Sequence, residues 1–265
     1  MSKGILLASG CSWTAENSIS TDHSLSNEDR GGWAMWPELL ANELNLSHLN
    51  VAKSGIGNKE IFDSIVDVIN TKTNIKLVIV AWSGWDRFKK MGIHDQHPLA
   101  SLMINECADY SKYKKIYTLD DYSNFFKSAT FEDLKKYSRD CIDSSLRYMF
   151  VLAQLLKSKN IPYLFFQGLS AFPISITEEI KTVVTYGDNN VIKDFTRSVY
   201  YSKIKCDKNI IGFPFFKIIG GHRLSDLTDG ISNLEISELD THPNAKGQKV
   251  ISDYIKEHYD RVYTV

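Results

Sequence analysis

The sequence predicts a parallel α/β fold, and three observations carry that prediction. Short apolar runs recur along the chain, and Leu77–Trp82 is apolar at every position, as a strand covered on both faces must be. Between the runs lie segments whose apolar residues fall at helical spacing, such as Ile61, Phe62, Ile65, Val68 and Ile69. Runs and helical segments alternate, which implies a parallel sheet with helices on both faces. In such folds binding and chemistry gather at the carboxyl ends of the strands.

Taken in order, Gly4–Ser9 is a buried first strand ending at Gly10, and 11–35 is a long polar loop at its carboxyl end. Pro37 opens a helix to Asn45, where its missing N–H is harmless. His48–Ala52 is a second strand. A turn at Ser54–Asn58 leads into a helix from about Asn58 to Asn70, capped by Gly57 or Asn58. Leu77–Trp82 is the third strand. Residues 87–130, rich in Tyr, Lys, Asp, Ser and His, form an insertion with short helices that could cap a site. A long helix follows, Phe131–Asn160, with Leu134, Tyr137, Cys141, Met149, Leu152 and Leu156 on its buried side, then a strand at Pro162–Gln167. Within 170–236 only Ile176–Tyr186 and Val191–Tyr201 have helical character. The last helix runs from about Asn244 to Tyr263.

Composition bounds the function. The chain has 265 residues with 43% hydrophobic and 24% charged, enough to bury a core without disulfides or metals. A net charge of −1 gives no electrostatic case for a nucleic-acid partner, and the basic run Lys112–Lys115 reads as a solvated face. No segment has the length of a membrane span, and no signal-peptide pattern opens the chain, so a cytoplasmic protein is expected. Cys11, Cys107, Cys141 and Cys206 are widely spaced and form no metal-binding pattern. His94-Asp95-Gln96-His97 lacks an indicated third ligand.

Four blocks fall where chemistry is expected. Gly10-Cys11-Ser12-Trp13-Thr14 follows the first strand, Ser54-Gly55-Ile56-Gly57-Asn58 the second, and Ser83-Gly84-Trp85-Asp86-Arg87 the third. Asp240-Thr241-His242-Pro243-Asn244 precedes the last helix. A serine hydroxyl becomes a nucleophile when a base takes its proton, and histidine is the usual base. Asp240 and His242 are two apart, so in an extended segment their side chains leave the same face and the carboxylate can orient the imidazole. Backbone N–H groups of Ser12 and Gly55 suit an oxyanion, because glycine permits close backbone approach. Trp13, Trp33, Trp36, Trp82 and Trp85 crowd the same end of the sheet, and Trp13 and Trp85 are candidate pocket walls. No Gly-x-Ser-x-Gly elbow and no complete dinucleotide fingerprint is present.

In order and spacing these blocks resemble the SGNH, or GDSL-like, hydrolase family across nearly the whole chain. The resemblance implies one domain, 1–265, with a three-layer α/β/α sandwich of flavodoxin-like form and no metal or organic cofactor. It implies Ser12 as nucleophile, His242 as base, Asp240 as the orienting acid, and Gly55 as an oxyanion donor. Three departures stand out. Cys11 replaces the family's Asp beside the nucleophile. Trp85 fills the slot of the oxyanion Asn, with Asn58 a candidate replacement. Leu239 fills the aspartate slot of Asp-x-x-His, so that Asp240 gives Asp-x-His and Ser12–His242 alone is the alternative. The implied activity is a serine esterase acting on small acyl esters, such as acetyl groups on carbohydrate. The alternatives are a weak or inactive relative that binds a glycan or a protein, and an acyltransferase using the same serine. The first and third blocks are also similar to SGNH-like proteins encoded by bacteriophages, where roles can be structural and the virion is the alternative location.

Overall fold

A computed structural model describes residues 3–16, 20, 22–85, 131–169 and 187–264; for 131–135, 137–138 and 187–190 only the backbone is described. The expected insertion at 87–130, the run Lys112–Lys115, the His94–His97 segment, Cys107 and the helix at 176–186 lie outside these residues. So do the side chains of Leu134 and Tyr137.

A five-stranded parallel sheet forms the centre, in the order β2-β1-β3-β4-β5. Its strands are β1 (Ile5–Gly10), β2 (Ser47–Asn50), β3 (Ile75–Trp82), β4 (Tyr163–Gln167) and β5 (Ile210–Ile211). Each face carries helices, α1 (Trp36–Glu43) and α6 (Ala245–Tyr263) on one and α2 (Asn58–Thr71) and α3 (Phe131–Ser158) on the other. Two more helices, α4 (Gly187–Arg197) and the single turn α5 (Tyr201–Ile204), pack against α3.

Alternation along the strands sorts the core into two layers, because successive side chains leave opposite faces. Val78, Val80 and Trp82 of β3 join Leu7 and Phe165 under α2 and α3. Leu77, Ile79 and Ala81 join Leu6, Ala8, Leu164 and Phe166 under α1 and α6. The long helix α3 meets its layer with Cys141, Ile142, Leu146, Met149, Leu152, Ala153 and Leu156, all buried and recurring every three or four residues. Each such aliphatic side chain contributes roughly 1.5–3 kcal/mol on burial. At the far end of the sheet α6 is tied down by Tyr263. Its hydroxyl donates to the Tyr163 carbonyl and accepts from the Tyr163 N–H, both at 2.9 Å.

The strand order puts the site at one place. The chain leaves β1 for β2 on one side and returns to β3 on the other, so the connections diverge at the carboxyl end of β1. A crevice opens at such a switch point, and Ser12 lies two residues past β1. A small antiparallel hairpin, β6 (Glu235–Ser237) and β7 (Asp240–Pro243), then leads into α6. The sequence pattern announces neither the hairpin nor β5, since both are too short to show periodicity. The helix expected at 191–201 runs instead from Gly187 to Arg197.

Candidate active site

The turn that carries Ser12 is built by glycine and clamped from two sides. A Cβ on Gly10 would sit 2.4 Å from Thr14 Oγ1, so only glycine lets the chain fold back here. The N–H groups of Thr14 and Ala15 donate to the Cys11 carbonyl at 2.9 and 3.0 Å, forming a helical turn around Ser12. Asn50 Nδ2, at the end of β2, donates to the Thr14 carbonyl at 2.6 Å. From α6 the buried Gln248 donates to the Trp13 carbonyl at 3.4 Å and accepts from the Trp36 N–H at 3.0 Å. The Ser12 turn, β2 and α6 are thereby fixed to one another.

His242 arrives on β7. Asn244, two residues on, caps α6 by accepting from the N–H groups of Lys246 and Gly247, while its own amide donates to the carbonyls of Asn233 and Glu235. That cap fixes the end of the hairpin that holds the imidazole. His242 Nε2 lies 2.7 Å from Ser12 Oγ, and His242 Nδ1 lies 2.6 Å from Asp240 Oδ1. Asp240 Oδ1 also accepts the His242 backbone N–H at 3.1 Å. The one-residue shortening to Asp-x-His is accommodated because β7 is extended, so residues two apart share a face. The Asp240 side chain is 13% exposed and that of His242 38%. The carboxylate is enclosed, while the imidazole is partly open to solvent.

Burial pushes the Asp240 carboxyl upward, but hydrogen bonds from the His242 and Ser20 side chains, with the attraction of His242 itself, outweigh it and hold the group down at about 2. Asp240 is therefore a carboxylate throughout the neutral range, which suits an acceptor that keeps a proton on Nδ1 and leaves Nε2 facing the serine.

The loop after β2 runs beside this turn, for Lys53 N–H donates to the Gly10 carbonyl at 3.2 Å. Gly55 follows at φ 80°, a left-handed conformation that favours glycine. The third block behaves differently from the sequence expectation. Trp85 is 1% exposed and its indole N–H donates to Gln167 Oε1 at 2.9 Å. Its ring packs on Phe195, Phe215 and Phe216, so it belongs to the core rather than to a pocket wall. Asn58 is the first residue of α2, with Gly57 as the cap. Its side chain accepts the Ser83 N–H at 2.8 Å and donates to the Ser83 carbonyl at 3.3 Å and Ser145 Oγ at 3.1 Å. The two amide hydrogens offered to an oxyanion by the sequence reading are committed to Ser83 and Ser145. Trp13 does stand at the site, its ring centroid 6.3 Å from that of His242.

Among the described residues no group of three or more His, Cys, Asp or Glu could hold a metal ion, and no helix is long and apolar enough to cross a membrane. Cys11, which is buried, and Cys206, which is exposed, are free thiols.

No family model matches the sequence. No curated protein matches it either. Solved structures do align with it. A protein of the G-D-S-L family from Desulfitobacterium hafniense aligns at 13% identity and a TM-score of 0.47, over 96% of this chain and 99% of its own. A psychrotrophic esterase from Pseudoalteromonas aligns at 15% identity and 0.43, over 99% of this chain and all of its own. An acetyl xylan esterase from Geobacillus stearothermophilus aligns at 13% and 0.37, over 97% and 94%.

Several residues around the site carry no sequence signal. Asp22 and Ser237 are ordinary loop residues until the fold brings them together, where Asp22 Oδ2 accepts the Ser237 hydroxyl and Ser237 Oγ accepts the Asp240 N–H. Gln248 did carry one: it shares the apolar face of α6 with Ile251 and Ile255, and a lone amide on such a face needs a partner.

Proposed function

We propose that the protein is a serine ester hydrolase. The observation that carries this reading is the unbroken relay Ser12 Oγ–His242–Asp240 at 2.7 and 2.6 Å, at the carboxyl edge of a parallel sheet. Ser12 attacks the ester carbonyl carbon as His242 Nε2 takes the hydroxyl proton. The imidazolium is balanced by the Asp240 carboxylate. The N–H groups of Ser12 and Gly55 receive the oxyanion. Collapse of the tetrahedral adduct expels the alcohol, which recovers the proton from His242, and water then releases the acyl group by the same steps in reverse.

The side chain in the oxyanion-Asn slot is Trp85, and it is turned into the core. Loss of one such donor weakens transition-state stabilisation by roughly 3–4 kcal/mol, so turnover on simple esters should be slow. A small acyl group is the favoured substrate part, and the Trp13 ring beside His242 supports a carbohydrate or other flat alcohol part. The imidazole turned onto Ser12 favours an enzyme over a binding protein.

The test is hydrolysis of a chromogenic acetate ester by the wild type and by Ser12→Ala, with circular dichroism to verify folding. Turnover present in the first and absent in the second is the expected result. Equal rates would remove Ser12 as nucleophile. Acyl transfer to added alcohols in preference to water would make the enzyme a transferase.

A further inference from the structure

One buried side-chain amide holds both ends of the loop that carries Ser12. Gln248 lies in α6 four residues after the Asn244 cap, and its N–H donates to the Asn244 carbonyl at 2.8 Å. It is fully buried, at 0% exposure. Its Oε1 accepts the Trp36 N–H at 3.0 Å, and its Nε2 donates to the Trp13 carbonyl at 3.4 Å. Trp13 follows Ser12 directly and Trp36 opens α1, so the 11–35 loop begins and ends on the same side chain.

Each contact answers a local need. Met35 gives α1 no capping side chain, and Trp36, its first residue, is buried. The first N–H of a buried helix end requires a partner from elsewhere, and Gln248 supplies it. That bond fixes which way the amide faces: with its oxygen on the Trp36 N–H, its NH2 is left for the Trp13 carbonyl. Asn50 takes the next carbonyl of the Ser12 turn, that of Thr14, at 2.6 Å. The start of α6 is in turn pressed against the hairpin that carries His242. A Cβ on Gly247 would sit 2.4 Å from the Leu234 carbonyl oxygen and 2.8 Å from Pro243 Cβ. Gln248 and His242 therefore belong to one tightly packed unit, and the Trp13 carbonyl is tied to that unit.

We propose that Gln248 is a positioning residue for the reaction: by holding the Trp13 carbonyl from the helix that follows His242, it sets the separation of Ser12 Oγ from His242 Nε2. The proposal rests on the serine ester hydrolase reading for its kinetic part only. Ser12 and His242 stand 230 residues apart in the chain, and their contact at 2.7 Å requires the two segments to keep one relative placement. Misplacing a reacting group by about 1 Å costs about 10²-fold in rate. Gln248 bonds backbone groups on both sides, so its effect on the serine passes through the turn and not through substrate.

The experiment compares wild type, Gln248→Met and Gln248→Glu as full-length proteins. Steady-state kinetics on the chromogenic acetate ester are combined with long-range proton–nitrogen NMR spectra of the His242 ring. The Nε2 shift reports the bond to Ser12 without turnover, and Ser12→Ala gives its value with the bond absent. Gln248→Met, which fills the space and bonds neither backbone group, should lower kcat by about 10–100-fold, with KM within about twofold. Its Nε2 shift should move toward that of Ser12→Ala. Burial favours the neutral form of a carboxyl, so at pH 6 Gln248→Glu still donates to Trp13 and accepts from Trp36, and it should restore both readouts. An unchanged kcat and Nε2 shift in folded Gln248→Met overturn the proposal. So does a lower kcat at an unchanged shift, which would mark a merely structural role, and so does a KM rise at constant kcat, which would mark a substrate contact. Equal losses in both variants at pH 6 also overturn it. If wild type hydrolyses nothing, the esterase reading fails alone, and the Nε2 shift still decides the role of Gln248. Should Gln248→Met fail to fold, raising Gln248→Glu from pH 6 to pH 9 ionises the carboxyl in the folded protein. The Nε2 shift must then move toward that of Ser12→Ala for the proposal to stand.

Discussion

Replacing Asp240 with asparagine tests the electrostatics of the relay through stability as well as rate. In the folded protein burial raises the Asp240 carboxyl, yet the His242 and Ser20 hydrogen bonds bring it to about 2 from 3.8. A depressed carboxyl stabilises the fold above the unfolded-state value, and that stability is lost as pH falls toward the folded value. At about 1.4 kcal/mol per unit, the carboxylate contributes about 2 kcal/mol at neutral pH. Linkage leaves nearly all of that at pH 4 and about half of it at pH 3. Urea unfolding of wild type and Asp240→Asn at pH 7, 4 and 3 therefore gives a difference that starts near 2 kcal/mol and narrows only below pH 4. In the ester assay the same substitution, which leaves shape but disturbs the tautomer, should reduce kcat by about 10³–10⁴. A stability difference that is flat from pH 7 to pH 3 would refute the argument. It would mean that the Asp240 charge is not what holds the folded form together at neutral pH.

Two further outcomes follow from the same structure. Asn58→Ala removes three buried hydrogen bonds and orphans the Ser83 N–H; it should reduce unfolding free energy by about 2–3 kcal/mol, and a loss under about 0.5 kcal/mol in urea titration would show that the 83–85 turn is held by Gln167 instead. His222 bonds the Tyr254 hydroxyl, and the Tyr254 ring packs on His258. Burial lowers both imidazoles, His258 with added repulsion from Arg261, against the opposing pull of Asp226 on His222 and Glu257 on His258. Such groups leave stability whole above the unfolded value of about 6.5 and remove it as pH falls further. Unfolding free energy should decline below pH 6.5 in wild type, with a shallower decline in His258→Gln; parallel curves would remove His258 from that account.

Much of the fold was legible because its signals are local. The apolar run of β3 and the described part of the α3 stripe each depend on residues close in sequence, and both appear where their spacing predicts. The second block's turn was legible too, since Gly55 takes the left-handed conformation that its residue type allows. Trp85 and Asn58 show where locality ends. A tryptophan and an asparagine at the mouth of a crevice fit a pocket wall and an oxyanion donor equally well as core and clamp. What decided between them was Gln167 and Ser145, brought up from other elements.

By itself the sequence determined a parallel sheet layered with helices, and it marked Ser12, Gly55, Asp240 and His242 as the groups to watch. Hydrophobic period and residue chemistry are written into short stretches of chain, which is why that much could be read. Only the tertiary structure decided that the Asp-x-His spacing suffices to bring carboxylate, imidazole and hydroxyl into line, that Trp85 is core, and that Asp22 and Ser237 tie the loop after β1 to the β6–β7 hairpin. Most of those contacts join residues far apart in the chain. Their hydrogen bonds depend on positions good to a few tenths of an ångström, which no local pattern of residues specifies.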